Sequence, residues 1–344
     1  MCPNIYFLGF SGVVRFGDLR IGGLSGIWKP GDYRRPYTAG PPYTRGQSDI
    51  RSAYHIREFD VFKLSQLSQH LDVFISHDWP QGVARFGDAE QLFRSKPFLK
   101  QEVLDGSLGS QPGAQLLGQL APDYWFSAHL HVRFPALIPR SGHDSRGGHT
   151  RFLALDKCLP GRNFLQVVDM PGKSGGPLCF DEEWLAITRA CHPSMPVSHP
   201  TALPRMPPPG VRLVDSHLGD VRAALARAGT AVIGDAAFMR TVEPHDPGRP
   251  RRGAVPSGTP RNPQTLALME LLQLDYCLDG APRGGGQQHQ QPLPPPPPPL
   301  LHPHAAAPAV LNAEEVELPC EEDPVGQGTA VGGSSANPEE VALD

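Results

Sequence analysis

Two strings constrain this chain more than any other part of it: Phe74-Ile75-Ser76-His77-Asp78-Trp79-Pro80 and Tyr124-Trp125-Phe126-Ser127-Ala128-His129-Leu130-His131-Val132. In each, an apolar, aromatic-rich run of buried-strand length gives way to histidine. A strand that exits into histidine delivers an imidazole to the rim of a sheet, where a metal ion or a phosphate can reach it. On an extended segment, His129 and His131 fall on one face. An isolated pair of this kind is most often a polar strand end bonded to backbone or water. The packed run before it is what holds this pair rigidly at a cleft. Asp78 can orient or polarise the His77 ring, and Trp79-Pro80 stiffens the turn. Neutral imidazoles suit zinc, iron or manganese, and three of them suffice for one hydrolytic metal. They contain no carboxylate to bridge a pair of metals about 4 Å apart.

The surrounding periodicities place these strings in a mixed α/β fold. Ile5–Gly9, Val13–Phe16 and Leu19–Ile27 are β-rich runs, with Gly17-Asp18 as a tight turn and Gly22, Gly23 and Gly26 marking close backbone approach. Ile56, Phe59, Lys63 and Leu67 keep a helical period. Leu71–Ile75 and Tyr124–Ser127 are strands, and Val132–Ile138, Arg151–Leu155 and Phe164–Asp169 read as further ones. Asp88 and Ser110 are placed to cap helices at Ala89–Ser95 and Pro112–Leu120. Glu182–Ala190 and Asp215–Ala228 are expected to be helical, as is a helix begun at Asn262 and running through Leu274. Ser141–Thr150 reads as a polar loop, and Pro193–Gly210 and Pro244–Pro260 as linkers.

Composition divides the chain. It has 344 residues with 40 prolines and 37 glycines, too many for one compact fold throughout. The excess gathers in a low-complexity stretch that includes Pro294–Pro299, so residues 281–344 are expected to be a disordered acidic tail. That tail carries nine acidic residues against Arg283, which leaves residues 1–280 at +4 within a net charge of −4. The basic bias is local to Arg15–Arg57. Pro294–Pro299 could serve as a polyproline II ligand, although it lacks a flanking basic anchor. Six cysteines form no CxxC pair, which reads as reduced thiols of the cytosol or nucleus. No apolar run reaches the ~20 residues of a membrane-spanning helix. Met1-Cys2-Pro3 runs almost directly into Ile5–Phe10, the start expected of an N-terminally truncated chain.

Ser76–Pro80, Trp125–Val132, Phe152-Leu153-Ala154-Leu155-Asp156-Lys157-Cys158-Leu159-Pro160 and Ile21-Gly22-Gly23-Leu24-Ser25-Gly26-Ile27 together resemble the lariat debranching enzymes, a family of the calcineurin-like metallophosphoesterases. The likeness is nearly continuous from Pro3 to about Met170, with a fainter echo at Asn262–Leu274. It implies a metallophosphoesterase-type β-sandwich flanked by helices, missing its first strands and helices, over residues 1–150. A partly divergent C-terminal domain would follow over 151–280.

It also implies a metal-dependent phosphodiesterase of the nucleus that hydrolyses the 2′–5′ bond at the branch point of excised intron lariats, using two divalent metals (Fe2+, Zn2+ or Mn2+). His77, His129 and His131 would be metal ligands. Ile27–Arg57 would be the loop that recognises branched RNA, with Trp28, Tyr33, Arg34, Arg51, Tyr54, His55 and Arg57 as substrate contacts. Arg35 and Tyr43 share that chemistry, and the loop departs from the family at Pro36–Gly40. The family's Cys-x-His pair, bridging Asp and Asn-His pair, the last holding the general acid, find no counterpart before His77. No catalytic acid is therefore assigned, and the chain as written is expected to be inactive. The alternatives are a non-catalytic lariat-RNA-binding isoform, a fragment from an incomplete gene model, or a different phosphoesterase on the same scaffold. Branched RNA is the expected partner, together with splicing-related proteins and no membrane.

Overall fold

A computed structural model describes residues 6–36, 51–140, 148–197, 203, 212–229, 231–233 and 261–277. Tyr43, most of Pro36–Gly40 and of both proline-rich linkers, and the tail lie outside the described residues. The described residues form a seven-stranded mixed sheet with helices against it. The strands are β1 (Ser11–Phe16), β2 (Leu19–Leu24), β3 (Val73–Ser76), β4 (Tyr124–Ser127), β5 (Phe134–Pro139), β6 (His149–Ala154) and β7 (Leu178–Phe180), in spatial order 5-6-4-3-2-1-7. β1 pairs antiparallel with β2 and β7, and β5 antiparallel with β6. The middle four, β2, β3, β4 and β6, are all parallel. They therefore discharge their chains at one end of the sheet. β6 straddles residue 150, so the sheet continues across that position.

Helices form where cap and period agree. Asp88 Oδ1 accepts the Gln91 N–H at 2.8 Å to open α2 (Ala89–Ser95), and Ser110 Oγ accepts the Gly113 N–H at 3.0 Å to open α4 (Gln111–Leu120). Between them lies α3 (Lys100–Asp105), and before them α1 (Glu58–Ser65), which buries Phe59, Val61 and Leu64. Asp181 caps α5 (Glu182–Cys191); α6 (Asp215–Ala228) and α7 (Pro263–Leu272, capped by Asn262) follow. The core is aromatic beneath the middle strands. Phe74 and Trp125 rings lie 4.2 Å apart, and Trp79 meets Phe134 at 5.0 Å and Phe152 at 5.3 Å. Each such pair adds about 0.5–1.5 kcal/mol beyond its burial. No helix among the described residues is long and apolar enough to cross a membrane.

Two expected strands are absent from the sheet. Residues 6–9 cross the face of the β1–β2 hairpin instead of pairing. A Cβ on Gly12 would stand 2.4 Å from the Leu8 carbonyl oxygen, and one on Gly23 would press on the Leu8 side chain. Phe164–Asp169 is likewise extended but unpaired, with Leu165 78% and Val167 84% exposed. Its alternation mimics a strand. Both edges of β6 are already taken by β4 and β5, so the chain leaving β6 cannot add there.

A buried ionic cluster fastens α5 to the sheet. Arg20, on β2, donates through Nε and Nη2 to both Asp181 oxygens at 2.8 Å, and through Nη2 to Glu183 at 2.8 Å. Its Nη1 meets the Gln69 carbonyl at 2.6 Å. Glu183 also accepts from the Ser68 N–H and hydroxyl and from Arg212. All three central side chains are buried. Burial disfavours the Asp181 charge, but the Arg20 hydrogen bonds and charge outweigh it and hold the carboxyl below its usual value.

Arg20→Ala removes the shared, fully buried cation and leaves Asp181 and Glu183 only the more exposed Arg15 and Arg212, and should cost about 3–5 kcal/mol in urea unfolding. Arg222→Ala, which removes an exposed pair with Glu182, should cost under about 1 kcal/mol. A second network bears on acid stability. Burial alone would push the Asp123 carboxyl up, but His70 and Arg140 pull it down to about 2. A depressed carboxylate stabilises the fold above its unfolded pKa, so stability should hold above about pH 4 and fall as pH drops towards 2. Urea midpoints in steps across that window test this, and Asp123→Asn should flatten the slope.

Candidate metal centre

The ends of β3 and β4 are tied together before any ligand is considered. Ile75 and Phe126 are register partners, which brings the serines that follow them, Ser76 and Ser127, side by side. Their hydroxyls lie 2.8 Å apart; Ser76 donates to the Asp78 carbonyl at 2.7 Å and accepts the Trp125 indole N–H at 2.9 Å. One step on, the Ala128 N–H donates to the His77 carbonyl at 3.1 Å, and Trp79 Nε1 donates to the Ala128 carbonyl at 2.8 Å. Trp79 is 1% exposed, so its ring is held inside the core. The two histidine strings are one hydrogen-bonded unit.

That unit brings the His77 and His129 rings to 5.0 Å. Burial, then the charge of its neighbour, pulls the His77 pKa below its usual value. His131 is lowered by burial and by Lys157, Lys96 and His129, with Asp156 opposing. Both are therefore neutral near pH 7, with a lone pair to offer.

The geometry differs from an extended H-x-H. β4 stops at Ser127, and His129 and His131 both adopt left-handed backbone, with φ of 63° and 51°. Non-glycine residues held there cost of order 1–3 kcal/mol and cluster at functional sites. The pair shares the strand exit through a strained loop, not through strand alternation.

Asp78, whose charge acts on His77, makes a second contact. Its Oδ2 accepts the Trp28 N–H at 3.0 Å, so the buried carboxylate clamps the segment after β2 to the turn after β3. Burial pushes its pKa up to about 6 against the N–H groups of Trp28 and Trp79. The clamp fixes Trp28, at the start of the Ile27–Arg57 segment, to the turn that carries His77. Gly26, at φ 106°, permits this, since a Cβ there would lie 2.6 Å from the Tyr54 carbonyl oxygen.

Within the loop the candidate contacts divide. Trp28 and Tyr33 pack edge to face at 5.0 Å and are half-buried, whereas Arg34, Arg51 and Tyr54 are exposed. His55 is buried, its Nδ1 2.6 Å from Asp32. Arg57 is buried too, donating to the Asp32, His55 and Ser52 carbonyls. These two shape the loop from inside; the exposed three are the ones that meet solvent. The Ser76–Ser127 pair and the Trp79 tie were not singled out in the sequence. Their signal was that both strings place serine at the same step after the aromatic run.

A second donor cluster, His70, Asp72 and Asp123, has ligand atoms within 4.8 Å of one another. It sits at the opposite end, where β3 and β4 begin. Lys173 and the Arg20 N–H already hold Asp72 at 2.8 and 2.7 Å, and Arg140 and His70 hold Asp123 at 2.5 and 3.0 Å. A metal there would have to displace two cations, so this cluster is an ion-pair network.

Imidazoles delivered to the carboxyl ends of neighbouring parallel strands define the class: an α/β protein with a candidate metal centre at its strand exits. Residues 147–277 match the family described as lariat debranching enzyme, C-terminal domain. The chain is 45% identical over 283 residues to the lariat debranching enzyme of Arabidopsis thaliana (82% of this chain, 65% of that protein). It is 42% identical over 293 residues to that of Danio rerio (81% and 50%) and 48% identical over 194 residues to that of Homo sapiens (55% and 35%). The chain is thus similar to these lariat debranching enzymes, and spans between about a third and two thirds of the length of these three.

If the left-handed backbone serves to aim the ligand, His129→Gly and His129→Ala should diverge. Both should weaken Zn2+ binding by isothermal titration. The glycine variant should be the more stable by about 1 kcal/mol, since glycine adopts positive φ freely.

Proposed function

We propose that this chain carries the strand-exit half of a lariat debranching site, and that its substrate is the 2′–5′ phosphodiester at an RNA branch point. The observation that supports this most is the pairing of the His77 and His129 rings at 5.0 Å at the exits of β3 and β4, where Asp78 also ties down Trp28 of the segment that exposes Arg34, Arg51 and Tyr54. The donor chemistry fits a borderline cation: three imidazoles, two held neutral, two with rings in contact. His77, His129 and His131 would hold Zn2+, Fe2+ or Mn2+, and the metal, when bound, would supply charge stabilisation at the phosphate oxygens and an acidified water.

The remaining work falls to the chain's own groups. Trp79 and Ser76 keep the imidazoles aimed, and Asp78 fixes the approach of the recognition loop. Arg34 and Arg51 offer charge to the backbone on either side of the branch, and Tyr54 offers a face to an unstacked base. Three imidazoles complete one metal's protein ligand set but bridge no second metal. From that ligand count we infer that this chain by itself binds branched RNA without turning it over, as a non-catalytic isoform would. A nuclear setting follows from a lariat substrate.

The test is a synthetic 2′–5′ branched RNA and a linear RNA of the same composition, each with Mn2+ or Fe2+ plus Zn2+. Anisotropy should show at least tenfold tighter binding of the branched form, lost in a Trp28→Ala/Arg51→Ala variant. Equal affinity for both RNAs would sink the debranching reading. Multiple turnovers on the branched RNA would sink the inference of inactivity alone.

A further inference from the structure

The exit of β6 carries a cationic group that the metal site and recognition loop leave unexplained. Ser127 and Ala154 are register partners, so Leu155-Asp156-Lys157 emerges beside Ala128-His129, and the Leu155 N–H donates to the Ser127 carbonyl at 3.2 Å. The chain then folds into a hook. The Asp156 N–H meets the Asn163 carbonyl at 3.1 Å, and the Lys157 N–H meets Asp156 Oδ1 at 2.6 Å. Arg162 Nη1 lies 3.5 Å from Asp156 Oδ2, with Asp156 11% and Arg162 52% exposed. Gly161, at φ 73°, turns the hook.

Lys96, at the end of α2, faces this hook. It lies within electrostatic reach of Lys157, Arg162 and Asp156, and His131 lies within reach of both lysines and Asp156. Three cations thus share one carboxylate. Neither Lys96 nor Lys157 pairs with any described acidic residue. Three cations around one carboxylate leave a net positive charge, and the hook's own hydrogen bonds hold Lys157 in place within it. The missing complement is an anion beside the histidines.

We propose that Lys96, Lys157 and Arg162 form a phosphate-binding rim at the β6 exit, which takes the RNA backbone one or two nucleotides from the phosphodiester held over His77, His129 and His131. Asp156 is the positioning residue that sets Lys157 and Arg162 on one side of the hook. The rim rests on the debranching reading only for which RNA it serves. Its chemistry, a phosphodiester chain against three cations, stands apart from that reading.

The experiment measures anisotropy of the same branched and linear RNAs against the full chain from 0.05 to 0.4 M salt. Lys96→Ala, Lys157→Ala and Arg162→Ala should each weaken both RNAs roughly fivefold at 0.1 M salt, the counterion-release value for one contact on a single strand. Each should lower the slope of log K against log salt by about 0.7. Arg222→Ala and Arg227→Ala, exposed cations on α6, are the charge-matched controls and should leave binding and slope unchanged. Urea midpoints that match wild type confirm that the rim variants are folded.

If the rim variants bind as wild type does while branched RNA is still preferred, the rim is overturned and the debranching reading stands. If branched and linear RNA bind equally and the rim variants still lose slope, the debranching reading falls and the rim stands. No affinity of wild type for either RNA overturns the rim.

Discussion

The Arg20 guanidinium, buried between Asp181 and Glu183, is the contact on which the rest of this molecule depends. Arg20 belongs to β2, one of the four parallel strands that carry the site. Asp181 caps α5, and Glu183 gathers the backbone of Ser68 and Gln69, which precede β3. A single side chain therefore fixes the register between the sheet, the entry to its central strand and the C-terminal helices. Desolvating these charges costs several kcal/mol each, and only the near-complete hydrogen bonding of all three offsets it. Such a junction tolerates no partial version, because any missing member leaves a buried charge.

With the strands so fixed, site assembly becomes a matter of parallel exits. β2 delivers Trp28, β3 His77, β4 His129 and His131, and β6 Asp156 and Lys157, all at one edge. Each exit is cross-linked to its neighbour by an N–H or hydroxyl: Trp28 to Asp78, Ala128 to His77, Leu155 to Ser127. The opposite edge shows what the same residue types do without such an arrangement. There His70, Asp72 and Asp123 are consumed by Lys173 and Arg140 and stabilise the fold.

What could be read from the sequence follows from which physics is local. Caps at Asp88, Ser110 and Asn262 depend on residues within three positions, and each is where its spacing placed it. β4 likewise begins and ends where its aromatic run does. Phe164–Asp169 shows the limit, because alternation reports a strand's wish for a partner and not whether an edge is open to receive it. The left-handed turns at His129 and His131 were illegible for another reason: positive φ leaves no mark on polarity patterns unless glycine or asparagine occupies it. His55 and Arg57 illustrate a third limit. A basic loop residue reads the same whether its donors face solvent or, as here, close on carbonyls of the loop itself.

The left-handed conformation at His129 and His131 also restricts what could replace them. Positive φ is tolerated chiefly by glycine and, among side chains with donor atoms, by asparagine, aspartate and histidine. Three of those four carry a metal-binding or hydrogen-bonding group. The loop after β4 thus acts as a socket: its backbone rejects β-branched and bulky apolar residues, yet accepts an exchange of imidazole for carboxylate or amide without being rebuilt. Since carboxylates favour magnesium and manganese where imidazoles favour zinc and iron, one backbone shape would leave the choice of any bound metal open to single-residue change while keeping the donor's position fixed.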